Sequence, residues 1–531
     1  MDGERVRWST VALGLVALVG VMPARGGEAT NDEVRQAIER RIDALRTDGT
    51  LVVAGTPIVS TEVLPALYER RAFAPAWTDA AAVDDLLRAI AASRESGLDP
   101  ADYHQDLLVR LRPLAAGGGE ADADFDVLAT DAFVCLAYHL RFGKVDPTDL
   151  DPTWNFGRQL RAGDPVTTLQ EAIDAGHPGA LLASLEPQHP FYQNLKAALA
   201  AYRRIEAAGG WPTLPDGPTL RTGDRDARVP ALRRRLAVSG DLAPASGDER
   251  YDAELAGAVA RFQERHGLAV DGAVGPATRR ALDVPVAARI DQLRATLERC
   301  RWIMRDVPAR FVLVNIAGFT AYLVSQGEVV WESRVVVGTP YTRTPTFRAD
   351  MTYVVLNPTW TIPASIVRKE VLPGLRRDPY YLERHGYVRK GNQYVQPPGP
   401  RNALGRIKLM LPNRHSIYLH DTPSKSYFAE SRRTFSHGCV RVQKPVELAA
   451  LALDDPAWTV ESLERAIATG RTRTIVLAQP LPVLILYWTA AVGRDGLVYF
   501  LPDVYDRDPA VVRALDGVFR LPRAAEAAPQ A

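Results

Sequence analysis

The residues of this 531-residue chain that could do chemistry are most concentrated at positions 436–441, which read Ser-His-Gly-Cys-Val-Arg. Cys439 is one of three cysteines, and a second histidine, His420, lies 19 residues before it. The attacking form of cysteine is the thiolate, and a close imidazole can take the thiol proton and lower the thiol pKa from about 8.5 to roughly 4. The pattern therefore indicates nucleophilic catalysis by Cys439.

A predicted strand positions the histidine. Residues 415–420 alternate, so that Tyr418 and His420 share one face while Ile417 and Leu419 share the other. Such a strand would hold an imidazole over a cleft.

A tight turn is predicted directly before the cysteine. Gly438 allows the backbone to turn and to bring its amides close to a developing oxyanion. Val440 and Val442 are then expected to return to the core. A histidine beside a cysteine is also compatible with packing or surface chemistry, and the spacing alone leaves both interpretations open.

The full string resembles the active-site signature of the L,D-transpeptidases with a YkuD domain. In that family a histidine is followed, after a gap of this size, by Ser/Thr-His-Gly-Cys and an apolar residue. The resemblance implies that Cys439 is the nucleophile and His420 the general base, with the backbone carbonyl of Asp421 orienting the imidazole ring. The base is then the distant His420 rather than the neighbouring His437.

We also expect specific roles for the residues near this pair. Gly438, His437 and the Cys439 amide are expected to shape an oxyanion hole, and Ser436 is expected to be a turn residue. Tyr418 lines the pocket or helps hold the oxyanion, with a purely structural role left open. Arg441 binds a carboxylate of the substrate, or instead forms an ion pair that braces the loop.

Composition and length exclude some classes of function. Lysine plus arginine total 64 against 63 for aspartate plus glutamate, so the net charge of +1 gives no support for nucleic-acid binding. Single cores rarely exceed about 300 residues, so the length predicts several domains. Three cysteines without Cys-x-x-Cys spacing argue against a disulfide framework and a zinc site. Cys135 and Cys300 lie in apolar helical patterns and are predicted to be buried and inert.

The chain begins with an export pattern. Arg5 and Arg7 precede an apolar run at 11–22, which predicts a signal peptide or signal anchor over 1–27. We expect an exported, periplasmic protein, with cleavage or an inner-membrane tether left open.

The predicted fold class is multidomain α+β. A helical region over 28–215 contains strings at 67–77 and 96–103 that resemble the N-terminal scaffold of the larger, YcbB-like L,D-transpeptidases. Residues 225–285 resemble the three-helix peptidoglycan-binding module. The matching pairs are Ala258-Val259, Phe262-Gln263, Gly267-Leu268 and Asp271-Gly272, followed by Gly275 and Thr278. Most of these positions are expected to be structural.

A β-rich region over 309–510 is predicted to be a mixed barrel or sandwich and to be the catalytic domain. An insertion at about 364–405, rich in charge and tyrosine, interrupts it. YcbB-like members carry a capping subdomain here, which would close over the donor peptide; a structural elaboration is the alternative. The tail over 511–531 is predicted to end in disorder.

The resemblance implies a peptidoglycan L,D-transpeptidase. Cys439 would attack a donor tetrapeptide stem, and an acceptor stem would resolve the thioester in a 3→3 cross-link, without metal or organic cofactor. Carbapenem inhibition through Cys439 is implied as well. The same acyl-enzyme could instead serve an L,D-carboxypeptidase or attach a protein to the wall. A non-catalytic wall-binding protein is disfavoured by the intact pair, and a cysteine protease on another fold leaves the module and the insertion unexplained.

Overall fold

Aspartate caps and N-terminal prolines start many helices of the N-terminal region. Asp146 and Asp164 each accept a backbone hydrogen bond and precede a proline at the first helical position. The structure is a computed structural model that describes residues 27–112, 119–157, 164–243, 248–305 and 307–519. Most of the predicted signal segment, residues 1–26, and the end of the tail, residues 520–531, lie outside the described residues. Within the described ranges, no helix is both long and apolar enough to cross a bilayer.

The N-terminal region is helical as predicted, with one short hairpin. Its elements are α1 (Gly27–Asp48), β1 (Val52–Val53), β2 (Thr56–Pro57), α2 (Val63–Arg70), α3 (Ala80–Ala92), α4 (Gln105–Leu111), α5 (Glu120–Phe142), α6 (Pro147–Leu150), α7 (Pro165–Asp174), α8 (Pro178–Leu185) and α9 (Pro190–Ala207). Helix α5 is buried on nearly all sides. The aromatic residues Tyr68, Trp77 and Tyr103 of the scaffold-like strings are core residues, as is Cys135.

The next unit is a three-helix module. It consists of α10 (Val229–Val238), α11 (Ala253–Arg265) and α12 (Pro276–Leu282). The Gln263 amide donates to Asp271, Ala273 and Thr278 at 2.7–3.0 Å and accepts the amides of Asp271 and Gly272. The residues that carry the resemblance therefore build the fold of the module. Helix α13 (Val286–Ile303) follows and buries Cys300.

The C-terminal region is built on one mixed sheet. Its strands are β3 (Arg310–Asn315), β4 (Thr320–Ser325), β5 (Glu328–Gly338), β6 (Phe347–Leu356), β10 (Ile407–Met410), β11 (Leu419–His420), β12 (Thr434–Ser436), β13 (Val440–Val442) and β14 (Arg473–Leu486). The order is β12-β5-β13-β11-β10-β6-β14-β3-β4, and β5 also pairs with β4. These pairings close into a ring, so the sheet is a barrel rather than a sandwich.

Apolar helices cover the barrel, and a hairpin and a last helix follow it. These elements are α17 (Pro445–Leu453), α18 (Val460–Ala468), β15 (Ala490–Val492), β16 (Val498–Phe500) and α19 (Asp508–Leu515). Arg265 of the three-helix module donates to the carbonyl of Val498 on this hairpin and pairs with the buried Asp241. The module is thereby attached to the barrel region.

The insertion has a small core of its own. It begins before the predicted bound of 364, because β7 (Trp360–Thr361) pairs with β9 (Gln393–Gln396). Its other elements are α14 (Ala364–Ile366), a π-helical turn (Val367–Val371), α15 (Leu372–Arg377), α16 (Tyr381–His385) and β8 (Val388–Lys390). Strand β9 lies between β7 and β8. Ile362, Ile366 and Val371 are buried among tyrosine rings, so the segment forms a packed subdomain rather than an open loop.

Candidate active site

The pairing of two short strands brings the cysteine and the histidine together. Strands β11 and β13 run parallel, with Leu419 opposite Val440 and His420 opposite Arg441. Leu419 and Val440 are fully buried in the barrel core. Because side chains alternate along a strand and partners share a face, His420 and Cys439 project from the opposite face.

Hydrogen bonds fix the turn before the cysteine. The Ser436 hydroxyl donates to the Cys439 carbonyl at 2.6 Å and accepts the Gly438 amide at 3.1 Å. Gly438 has φ +117°, and a Cβ there would lie 3.3 Å from Ile417. Thr344 donates to the Gly438 carbonyl at 2.7 Å. Ser436 thus has the turn role predicted for it, and only glycine fits this backbone without strain.

The Cys439 thiol is half-buried and surrounded by donors. The Tyr418 amide and hydroxyl lie beside its sulfur and favour the thiolate form, and the thiol lies 3.7 Å from the Ser416 carbonyl. Burial raises the pKa of the Cys439 thiol, although the Tyr418 donors and the positive charge of Lys408 oppose this. The net effect is a raised thiol pKa, because desolvation outweighs the donors.

His420 is buried and held by its neighbour's backbone. Its Nδ1 is hydrogen-bonded to the Asp421 carbonyl. Since a carbonyl only accepts, the hydrogen resides on Nδ1 and the Nε2 lone pair is free to take a proton. Burial, and secondly the charge of Arg441, lower the pKa of His420 to about 3. The resting pair is thus a neutral imidazole and a protonated thiol.

The Asp421 carboxylate is engaged elsewhere. It accepts the Arg406 amide at 2.9 Å and pairs with the Lys425 ammonium. The backbone carbonyl, rather than this carboxylate, orients the imidazole, as the resemblance implied.

Tyr418 and His437 connect the motif to the insertion. The Tyr418 ring lies 5.6 Å from the His420 ring, and its hydroxyl faces the Trp360 side chain. Burial and the nearby Cys439 raise the pKa of Tyr418, so the phenol remains a donor. His437 is exposed, and its Nε2 lies 2.6 Å from a Glu370 oxygen. The insertion therefore contacts the motif at two points.

Arg441 has no ion pair with any residue that the structure describes. Its guanidinium lies 5.8 Å from the Tyr427 ring centroid, and its buried Nε has no hydrogen-bond partner. No carboxylate of the described residues lies within 4.0 Å of this side chain. The loop-bracing ion pair considered for Arg441 is therefore absent from the described part of the structure.

Sequence reasoning missed Lys408. This residue on β10 is the direct partner of His420, and its Nζ lies 3.9 Å from the Tyr418 ring centroid. The available signal was alternation, because Ile407 and Leu409 are buried and leave Lys408 on the other face. Trp360 and Glu370 were missed as well, since nothing local indicated their contacts.

Three family models match separate parts of the chain. Residues 309–476 match the YkuD family, described as "L,D-transpeptidase catalytic domain". Residues 62–199 match "Scaffold domain", and residues 225–282 match "Putative peptidoglycan binding domain".

Curated relatives match shorter segments. A "Putative L,D-transpeptidase" of Haemophilus influenzae is 32% identical over 217 residues, which is 37% of this chain and 44% of that protein. The "N-acetylmuramoyl-L-alanine amidase CwlM" of Mycobacterium tuberculosis is 44% identical over 80 residues, or 13% of this chain and 20% of that protein. The chain thus spans less than half the length of these relatives.

Two solved structures of L,D-transpeptidases align with about half of this chain. An L,D-transpeptidase of Xylanimonas cellulosilytica is 19% identical, with a TM-score of 0.19, over 51% of this chain and 99% of that one. An L,D-transpeptidase of Stackebrandtia nassauensis is 14% identical, with a TM-score of 0.21, over 52% of this chain and 96% of that one.

Proposed function

We propose that this chain, which carries a YkuD-family L,D-transpeptidase catalytic domain together with a scaffold domain and a peptidoglycan-binding domain, is a peptidoglycan L,D-transpeptidase. The observation that carries the proposal is the shared face of β11 and β13. There a thiol and a neutral imidazole with a free Nε2 project together. This arrangement suits acyl transfer through a covalent intermediate.

In the first half-reaction, the Cys439 sulfur attacks the carbonyl carbon of the third residue of a tetrapeptide stem. Because the resting pair is neutral, the thiol proton passes to His420 Nε2 as the sulfur–carbon bond forms. The peptide bond to the terminal D-alanine then breaks, and His420 returns the proton to the departing amine. A thioester on Cys439 remains.

In the second half-reaction, the side-chain amine of the third residue of another stem attacks the thioester. It loses a proton to His420, the carbon–sulfur bond breaks, and the sulfur is reprotonated. The product is a 3→3 cross-link and the original enzyme.

The oxyanion of each half-reaction needs donors. The Gly438 amide is occupied by Ser436, so we assign the oxyanion to the Cys439 amide and the Tyr418 hydroxyl. The phenol lies at the sulfur and stays protonated because burial raises its pKa.

The substrate and the location follow from the same proposal. The three-helix module would hold the enzyme on peptidoglycan, and the N-terminal segment would direct export to the periplasm, where it is removed or kept as an inner-membrane tether. A carbapenem would acylate Cys439 in place of the donor stem.

Mass spectrometry of products tests the proposal. Purified protein is incubated with disaccharide-tetrapeptide, beside Cys439→Ala and Cys300→Ala variants. A dimer lacking one D-alanine, made by the wild type and Cys300→Ala and absent with Cys439→Ala, is the expected result. A tripeptide alone would identify an L,D-carboxypeptidase, and unchanged substrate would refute the proposal.

A further inference from the structure

Three neighbouring strands place a cation on each side of the catalytic histidine. Lys408 on β10 and Arg441 on β13 are both direct partners of His420 on β11. Adjacent strands lie about 4.8 Å apart. The three side chains therefore form a row on the face that carries Cys439.

Neither cation is neutralised by a described residue of the protein. Among the residues that the structure describes, no carboxylate lies within 4.0 Å of the Lys408 ammonium or the Arg441 guanidinium. The carboxylate of Asp421, which directly follows β11, is paired with Lys425. Both cations are partly buried, and burial lowers the pKa of each. Desolvated charge without a counter-ion is costly, so such a pair suits an anionic ligand.

The Lys408 head group points toward the reacting atoms. Its Nζ lies over the Tyr418 ring at 3.9 Å, and its positive charge favours the thiolate form of Cys439. The thiol and the imidazole are both neutral at rest. The face thus carries two positive charges and no compensating anion of its own in the described part of the chain.

We propose that Lys408 and Arg441 form a two-cation site that binds the carboxylate of the donor's leaving residue. This inference rests on the proposed function. A free carboxylate that follows the attacked carbonyl by one residue lies about 4 Å beyond it, within reach of long side chains on the strands that flank His420. The site would select donor stems that end one residue after the scissile bond, because a longer stem carries a neutral amide there.

Binding of this carboxylate would also assist the base. The charges of Arg441 and Lys408 both disfavour the imidazolium form of His420. A bound carboxylate would offset them, so that His420 can take the thiol proton when the correct donor is present.

Alkylation of Cys439 tests the site without any turnover. Iodoacetate and iodoacetamide share the reacting carbon and the leaving iodide, and they differ in a carboxylate against a neutral amide. The iodoacetate-to-iodoacetamide rate ratio at Cys439, followed by peptide mass spectrometry, should fall about 3- to 10-fold in Lys408→Met. Lys408→Arg keeps the charge and should retain the ratio.

The matched control is Lys444→Met, which removes an exposed lysine paired with Glu447 and should leave the ratio unchanged. Arg441→Gln is a second variant and should lower the ratio as Lys408→Met does. A ratio equal to that of wild type in both Lys408→Met and Arg441→Gln, with thermal unfolding showing folded proteins, would overturn the proposal.

Substrate binding separates this inference from the proposed function. In a Cys439→Ala background, disaccharide-tetrapeptide with a free carboxylate is compared with its C-terminal amide by calorimetry. Lys408→Met should weaken binding of the acid about tenfold and barely affect the amide. Equal loss for both refutes the carboxylate site even if cross-linking occurs. If the wild-type protein makes no cross-link, but Lys408→Met selectively weakens binding of the acid, only the proposed function is refuted.

Discussion

His420 donates its Nδ1 hydrogen to the backbone carbonyl of Asp421, while the carboxylate of the same aspartate pairs with Lys425 and accepts the Arg406 amide. The carboxylate thus has a structural role and the carbonyl a positioning role. A backbone acceptor orients the ring without adding a negative charge on that side.

Replacement of the Asp421 side chain should affect stability more than activity. Asp421→Asn keeps the carbonyl, so kcat should fall less than about tenfold, while the lost charged hydrogen bonds cost about 1–3 kcal/mol of unfolding free energy. His420→Gln should lower kcat by about 10²–10⁴. Steady-state kinetics and denaturant titration measure both; a kcat loss in Asp421→Asn as large as that in His420→Gln would indicate a carboxylate triad.

The reactivity of Cys439 should depend on pH as that of a thiol that forms no ion pair with an imidazolium. Burial raises the thiol pKa and lowers the pKa of His420 to about 3, so a thiolate–imidazolium pair is disfavoured at rest. The iodoacetamide rate at Cys439 should rise about tenfold per pH unit from pH 6 to 8, with no plateau. Stopped or quenched time courses with peptide mass spectrometry measure it. A pH-independent rate between pH 5 and 7 is the contrary outcome.

The contacts between the insertion and the motif should control the acceptor. Glu370→Gln and Trp360→Phe remove the contacts with His437 and Tyr418, so water should reach the thioester more easily. We expect the tripeptide-to-dimer product ratio to rise several-fold, with the rate of Cys439 acylation unchanged. Glu383→Gln changes an exposed glutamate of the same insertion and serves as the control. Identical ratios in all variants would refute this role.

Acid should destabilise the fold through buried neutral histidines. His420 binds a proton near pH 3 when folded and near 6.5 when unfolded. The unfolded chain therefore gains the proton first, and stability falls as pH drops below about 6.5, by at most about 1.4 kcal/mol per unit from this residue. Denaturant titrations from pH 7 to 4 should show that the free energy of unfolding depends less on pH in His420→Gln than in His177→Gln. The second variant is the control, because it removes an exposed imidazole. The same pH dependence of the unfolding free energy in both variants would contradict this prediction.

His266 adds to the same dependence. It is buried in the three-helix module against Phe262, with ring centroids 3.8 Å apart, and burial lowers its pKa well below the ordinary value. Part of the acid sensitivity should therefore persist in His420→Gln.

Much of the fold could be predicted from local patterns. The strand predicted over 415–420 is only Leu419–His420, because Ser416 has φ +55° and turns the chain. Val440 and Val442 return to the core as expected. Glycine and proline signals separated the helical region, the module and the barrel. The raised pKa of the Cys439 thiol could not be predicted locally, because burial of Cys439 depends on the whole site rather than on its neighbours in sequence.

The sequence by itself predicted Cys439 and His420 as the pair that could do chemistry, because residue type and spacing along the chain carry that information. Only the tertiary structure decided the surroundings of the pair. Lys408 becomes a neighbour of His420 through strand pairing, and Glu370 reaches His437 across 67 residues. Such contacts depend on register and on the packing of an inserted subdomain, which local propensities do not encode. The charge and protonation of the site follow from those contacts.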